Sequence, residues 1–166
     1  MKDRLKCALI FLALFGCQKK MISDRYPYHK GFASVYWGDP SSEVDSLVRS
    51  DTSFTKISAV GNSKTRGTIV VVQHGRLDYY LEFNDRDQLY SINYIAEKDY
   101  KGGLDSARIQ IERNYGPPDR IEENGATYEN NIWNVNTDSL KLEVQLLVTS
   151  KSYSLRVTNK TLMTAR

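Results

Sequence analysis

The sequence has few of the residues on which metal and thiol chemistry depend. Its 166 residues include two cysteines and two histidines, namely Cys7, Cys17, His29 and His74. These four are scattered along the chain and cannot supply the usual nitrogen and sulfur ligands of a structural zinc site. The sequence also has no Gly-x-Ser-x-Gly nucleophile motif and no glycine-rich phosphate loop. We therefore expect no metal, no cofactor and no catalytic residue.

An excess of one charge and long apolar runs are missing as well. There are 23 Lys and Arg residues against 20 Asp and Glu, with only four prolines and ten glycines. This balance excludes collagen-like and charge-driven disordered chains. The longest apolar run, over 7–17, is shorter than the roughly 20 residues that a membrane-spanning helix needs. The length predicts one ordinary domain or two very small ones.

The chain begins with the layout of a secretory signal. Three cations within the first six residues precede the apolar run, which ends in Leu14-Phe15-Gly16-Cys17. These four residues resemble the lipobox of bacterial lipoproteins. The resemblance implies cleavage before Cys17, lipidation of Cys17, and attachment to the bacterial cell envelope through the lipid. Gln18 follows, and by the same resemblance this favours the outer membrane. A plain signal peptide and an uncleaved short anchor are the alternatives.

This interpretation divides the chain into a signal peptide over 1–16, a lipidated cysteine and tether over 17–34, and one α+β domain over 35–166. Removal of three cations and one anion with the signal would change the net charge from +3 to +1. A nearly neutral domain attracts phosphate backbones weakly, so we expect no nucleic-acid partner.

The hydrophobic pattern after residue 37 predicts two helices, each followed by four antiparallel strands. Asp39 is expected to cap the first helix with Pro40 in its first turn, and Gly116 to end the second helix, over 103–115. The Asn124-Gly125 pair predicts a two-residue hairpin. The predicted strands cover about 54–60, 67–73, 77–83, 89–96, 120–123, 126–136, 140–146 and 153–158.

Both halves, over about 38–98 and 102–160, thus show the same order of elements. The fold class expected is α+β, a tandem repeat forming one sheet with both helices on one face. This layout resembles the β-lactamase inhibitor protein and the outer-membrane lipoproteins of the SmpA/OmlA type. The local likeness is carried by Trp37-Gly38-Asp39-Pro40-Ser41-Ser42-Glu43-Val44 and Tyr115-Gly116-Pro117-Pro118-Asp119.

The open side of such a sheet is the candidate binding surface. In the strand over 77–83, Asp78, Tyr80 and Glu82 alternate with apolar residues and should point away from the helices. Trp133 is either a core or an interface anchor. Trp37 belongs to an aromatic segment over 26–37, which could be an edge strand or a second binding surface. The candidate partner-binding residues are Tyr80, Trp133, Trp37, Asp78 and Glu82.

We therefore predict a non-catalytic envelope lipoprotein that binds a protein partner as an assembly factor, scaffold or inhibitor. A glycan- or lipid-binding module is the alternative. A carboxylate-based cell-wall hydrolase is disfavoured, because Asp78 and Glu82 would lie roughly 13 Å apart along a strand. Glycosidases hold their two carboxyl groups about 5–9.5 Å apart.

Overall fold

The computed structural model describes residues 28–61, 67–98, 103–125, 127–137 and 140–163. The predicted signal peptide, Cys17 and the predicted tether up to residue 27 lie outside these ranges. The elements in chain order are β1 (Gly31–Phe32), β2 (Val35–Tyr36), α1 (Ser41–Ser50), β3 (Phe54–Gly61), β4 (Thr68–His74), β5 (Leu77–Phe83), β6 (Leu89–Glu97), α2 (Gly103–Tyr115), β7 (Arg120–Asn124), β8 (Tyr128–Asn136), β9 (Lys141–Thr149), β10 (Ser152–Asn159) and α3 (Lys160–Met163).

Eight of the strands form one antiparallel sheet in the order β3-β4-β5-β6-β10-β9-β8-β7. Six of its seven neighbouring pairs follow one another along the chain, and only β6 and β10 are distant in sequence. The α+β class and the antiparallel sheet are confirmed. The strand order places β3 and β7 at the two edges and the β6–β10 pair at the centre.

The core lies on one face of this sheet. A row of side chains in register runs across six strands of that face, and both longer helices pack against it. Because apolar residues alternate along these strands, they fall on the same side and are removed from water together. The row consists of Val70, Leu81, Ile92, Val157, Val144 and Trp133. The helix residues that cover this face are Val44 and Leu47 of α1, with Ala107, Ile111 and Tyr115 of α2.

The predicted cap of α1 is wrong. Pro40 occupies the N-cap position, and no side chain there bonds to the helix. The Asp39 carboxylate instead accepts a hydrogen bond from the Tyr36 N–H at 2.8 Å. The N–H and hydroxyl of Ser41 both donate to the Asp87 carboxylate, at 3.2 and 3.1 Å. A residue in the turn between β5 and β6 therefore caps this helix, which local sequence patterns could not indicate.

The hairpin between β7 and β8 is also longer than predicted. Asn124 pairs with Tyr128, so three residues connect the strands where two were expected. Gly125 has a φ of 55°, a left-handed conformation that glycine adopts without steric cost.

The aromatic segment over 28–37 packs against the domain on the helix side. Strands β1 and β2 pair with each other as a separate two-stranded sheet, so the first of the two alternatives for this segment, an edge strand of the main sheet, is excluded. Phe32 and Val35 are buried, and the Trp37 indole N–H donates to the Tyr28 carbonyl at 2.9 Å. The packed part of the chain thus includes residues that the sequence pattern assigned to the tether.

Candidate functional site

The second face of the sheet lies opposite α1 and α2, and we call it the open face. In β5, Asp78, Tyr80 and Glu82 lie on this face, because the alternate residues Tyr79 and Leu81 pack into the core. All three are half-buried. The structure therefore brings together three of the five candidate binding residues on one surface, as their alternation predicts.

The strand register aligns the open face into cross-strand rows. The central row runs from β4 to β9 through Val71, Tyr80, Asn93, Arg156 and Gln145. Side chains that face each other in such a row are close enough to interact. This places Arg156 at the centre of the open face, on β10, which pairs with β6 and so connects the β3–β6 half of the sheet to the other half.

Arg156 is held by two hydrogen bonds on this face. Its Nη2 donates to Glu82 Oε2 at 2.6 Å, and its Nε donates to the Ser91 hydroxyl at 3.1 Å. The Tyr90 hydroxyl donates to the same Glu82 oxygen at 2.9 Å. The Glu82 side chain is 14% exposed, whereas the Arg156 side chain is 41% exposed. Glu82 thus orients Arg156, and the guanidinium is the member of the pair that faces solvent.

In a second ion pair on the open face, the cation is again more exposed than its carboxylate partner. Lys160, at the start of α3, binds Glu143 of β9 at 3.0 Å, with side chains 36% and 18% exposed respectively. By contrast, cation and anion are about equally exposed in the Lys56–Asp45 pair, which lies on the helix side of the sheet. The centre of the open face therefore presents cations and shelters their carboxylates.

Two exposed aliphatic side chains lie beside this charged region. Ser154 of β10 pairs with Ile95 of β6 on one side and with Leu147 of β9 on the other. Ile95 is 53% exposed and Leu147 is 36% exposed. Sequence inspection missed this trio, although each aliphatic residue breaks the alternation of its strand by occupying a polar position. This break in the alternation is the sequence feature from which the trio could have been identified.

The two tryptophans lie on the other side of the sheet. Trp133 is 2% exposed and its indole N–H donates to the carbonyl of Gly116, just after α2, at 2.9 Å. Of its two alternatives, the structure places it in the core. Trp37 is half-buried and contacts both core clusters. Neither indole therefore lies on the face that carries Tyr80.

Buried tyrosines surround the cavity beneath α2. Burial raises the pKa of the Tyr28 and Tyr94 hydroxyls well above their usual value, and neighbouring tyrosines raise it further. A small cavity of about 30 Å³ lies between these rings and Ile111 of α2. Both hydroxyls therefore lose their proton less readily than a solvent-exposed tyrosine, with Tyr94 in the core and Tyr28 packed against it.

A polar cleft of about 290 Å³ opens at one end of the sheet, near the β7–β8 and β9–β10 turns. The residues that line it include Tyr128, Glu123, Glu129, Ser150 and Lys98. Arg108 of α2 binds Glu129 at 2.7 Å, so one of the two carboxylates is already paired. An aromatic ring beside carboxylate and hydroxyl groups suits a small polyhydroxylated ligand.

Among the residues that the structure describes, no group of three or more His, Cys, Asp or Glu side chains could hold a metal ion. Within the same ranges, no helix is long and apolar enough to cross a membrane. Comparisons with protein-family models, curated proteins and solved structures find no match to this chain. The lipobox and the family resemblances remain predictions from the sequence.

Proposed function

We propose that the chain is a non-catalytic envelope lipoprotein whose open face binds a protein partner, as an assembly factor, scaffold or inhibitor. The observation that carries this proposal is the asymmetry of the sheet. Helices bury one face, whereas the other combines two exposed aliphatic residues with outward-facing cations. Exposed apolar side chains next to Arg and Tyr are typical of the centres of protein interfaces.

Capture from solubilised envelope extracts tests the surface. The full chain is immobilised as wild type, as Tyr80→Ala and as Ile109→Ala, and the retained proteins are identified by mass spectrometry. Ile109 is an exposed apolar residue of α2, outside both the eight-stranded sheet and the aromatic segment over 26–37, and therefore serves as the control. We expect Tyr80→Ala to lose a partner that the other two chains retain. If all three capture the same proteins, the proposed surface is wrong.

The proposal includes a lipid anchor on Cys17, supported by the lipobox-like residues before it. Several acyl chains, each contributing about 0.8 kcal/mol per buried methylene, would hold the domain at a bilayer where one chain is marginal. Labelling with palmitate tests this directly. The label should persist in Cys7→Ala, which alters the signal peptide, and disappear in Cys17→Ala. A label that survives Cys17→Ala would contradict the anchor.

We also propose that the two halves of the domain are structural repeats. The order α1 then β3–β6 is followed by α2 then β7–β10, and the halves meet through β6 and β10. Four strands and one helix bury little apolar surface alone, so neither half should fold separately. Expression of residues 35–98 alone tests this, since a cooperative thermal transition in that fragment would contradict it.

A glycan-binding function is favoured by one specific observation, the polar cleft with its exposed Tyr128 ring. Sedimentation with purified peptidoglycan separates this function from protein binding. A protein-binding module should stay in the supernatant. Sedimentation that Tyr128→Ala abolishes and Tyr80→Ala leaves unchanged would support the glycan function and place its site in the cleft.

A further inference from the structure

We infer that two copies of this chain pair through the outer edge of β7, in an antiparallel arrangement centred on Ile121. This interface lies on a different surface from the open face and does not depend on the proposed function. Three features of β7 together carry the inference. They are a regular outer edge, an exposed apolar residue, and a charge pattern that is complementary to a reversed copy of itself.

The outer edge of β7 is open to pairing. This strand stands at the end of the sheet, and among the residues that the structure describes no strand pairs with its outer side. All five of its residues keep one register with β8, and four of the five are exposed. The core cluster beneath α2 contains residues of β6, β8, β9 and β10 but none of β7. The unpaired N–H and C=O groups of this edge can therefore bind another strand.

The other edge strand, β3, carries features that disfavour such pairing. A bulge between Lys56 and Ser58 breaks its register with β4. Lys56 lies on the helix side, where it binds Asp45 of α1 at 2.6 Å. Bulges and inward-pointing charges are both used by natural sheets to prevent the addition of a further strand. By contrast, β7 shows no break of register, and the apolar Ile121 lies on its helix side.

The charges of β7 favour one register for a second copy. A two-fold axis perpendicular to the sheet keeps the helix sides of both copies together, so each residue faces one from the same side. With the axis at Ile121, Ile121 lies opposite itself and Arg120 lies opposite Glu122 of the second copy. With the axis at Glu122, that carboxylate would lie opposite itself. Opposite charges directly across a strand pair stabilise it and like charges destabilise it, so the first register is favoured.

The side chains at this axis are accessible to a second copy. Ile121 is 53% exposed. Arg120 and Glu122 bind each other at 3.0 Å, yet 62% and 43% of their side chains stay exposed. Pairing would remove both Ile121 side chains from water and would give each Arg120 a second carboxylate.

The interface is small, and we expect the dimer to be weak. Five residues of each copy cover less surface than the roughly 1,200–2,000 Å² of a stable complex. At its ends, Glu123 would face Asp119 of the second copy, although the Asp119 carboxylate already accepts a hydrogen bond from the Asn134 N–H at 2.6 Å. A covalent trap therefore suits this dimer better than a measurement of mass at equilibrium.

Cysteine cross-linking of the full chain tests the register. In Ile121→Cys the two thiols would face each other across the axis, with Cα atoms about 4.5–5.5 Å apart, a separation that a disulfide spans. In the matched control Glu123→Cys, on the same strand and side, the two positions would be four residues out of register and roughly 14 Å apart, beyond the reach of a disulfide. Ile109→Cys, 54% exposed on α2, measures cross-linking by random collision, and the unaltered chain measures cross-linking through Cys7 and Cys17.

We expect Ile121→Cys to give at least tenfold more disulfide-linked dimer on non-reducing gels than Glu123→Cys, Ile109→Cys or the unaltered chain. Adding Arg120→Glu to Ile121→Cys should lower the yield at least about fivefold, because two carboxylates then face each other on each side of the axis. Adding Glu122→Arg as well exchanges the two charges and should restore the yield.

Four outcomes would overturn the inference. They are equal yields from Ile121→Cys and Glu123→Cys, a higher yield from Glu122→Cys, no dimer above that of the unaltered chain, and a charge exchange that fails to restore the yield. The third outcome is expected if another segment of this chain or a different protein occupies the edge. None of the four concerns Tyr80 or the open face, so the proposed function would stand.

Discussion

Arg156, which lies on the proposed binding surface, is also expected to stabilise the fold. We predict that Arg156→Met lowers the free energy of unfolding by about 2 kcal/mol, because it leaves the Glu82 carboxylate with the Tyr90 hydroxyl as its one remaining hydrogen-bond donor among the residues that the structure describes. Loss of a partner for a fully buried charge costs roughly 3–5 kcal/mol. The value expected here is smaller, since Arg156 is 41% exposed and water can take part of its place.

Methionine is the suitable replacement because it keeps the apolar stem that covers the sheet. The matched control is Arg120→Met, because Arg120 pairs with Glu122 at 3.0 Å with both side chains well exposed. We expect that control to cost less than about 0.5 kcal/mol. Urea titration followed by tryptophan fluorescence suits both variants, since Trp133 is buried and reports the loss of the core.

A double-mutant cycle with Glu82→Gln isolates the interaction of the pair. The double variant should lose less stability than the sum of the single variants, because the uncharged amide no longer needs the guanidinium. If Arg156→Met costs no more than Arg120→Met, or if the cycle is additive, the ion pair does not have the role assigned to it.

Three further predictions concern the helix side of the sheet. Burial raises the pKa of Tyr94 in the folded chain. As the pH rises above the usual tyrosine value of about 10, the unfolded chain therefore loses the Tyr94 hydroxyl proton before the folded chain does, and the free energy of unfolding falls. Tyr94→Phe should therefore shift the midpoint of alkaline unfolding, followed by circular dichroism, to higher pH, and an unchanged midpoint would contradict this. Gly67→Ala would place a Cβ 1.8 Å from the Phe83 carbonyl oxygen, so it should lower stability by at least about 2 kcal/mol in thermal melts. Trp133→Phe removes the hydrogen bond to the Gly116 carbonyl and part of the core volume, so it should lower the free energy of unfolding. A decrease of less than about 1 kcal/mol, measured by urea denaturation, would argue against the anchoring role of Trp133.

Strand-like runs and turn signals predicted the eight strands of the sheet, and the alternation of apolar and polar residues in β5 predicted the face on which Tyr80 lies. Local patterns failed where the deciding contact is distant in sequence. The cap of α1 comes from Asp87, and nothing near Asp39 indicates that. The proposed binding surface was predicted only in part for the same reason. The Arg156–Glu82 pair joins residues 74 positions apart, and only the β6–β10 pairing brings them together.

The central position of the β6–β10 pair has a consequence for the order in which the sheet can form. Strands β3–β6 can pair as soon as they are available, but the outer edge of β6 stays unpaired until β10, the last of the eight strands in chain order, arrives. While the chain folds, this edge and its apolar face would be exposed to other strands. The two halves become one sheet only in the final step, which favours slow folding and makes a chain that ends before Ser152 prone to aggregate.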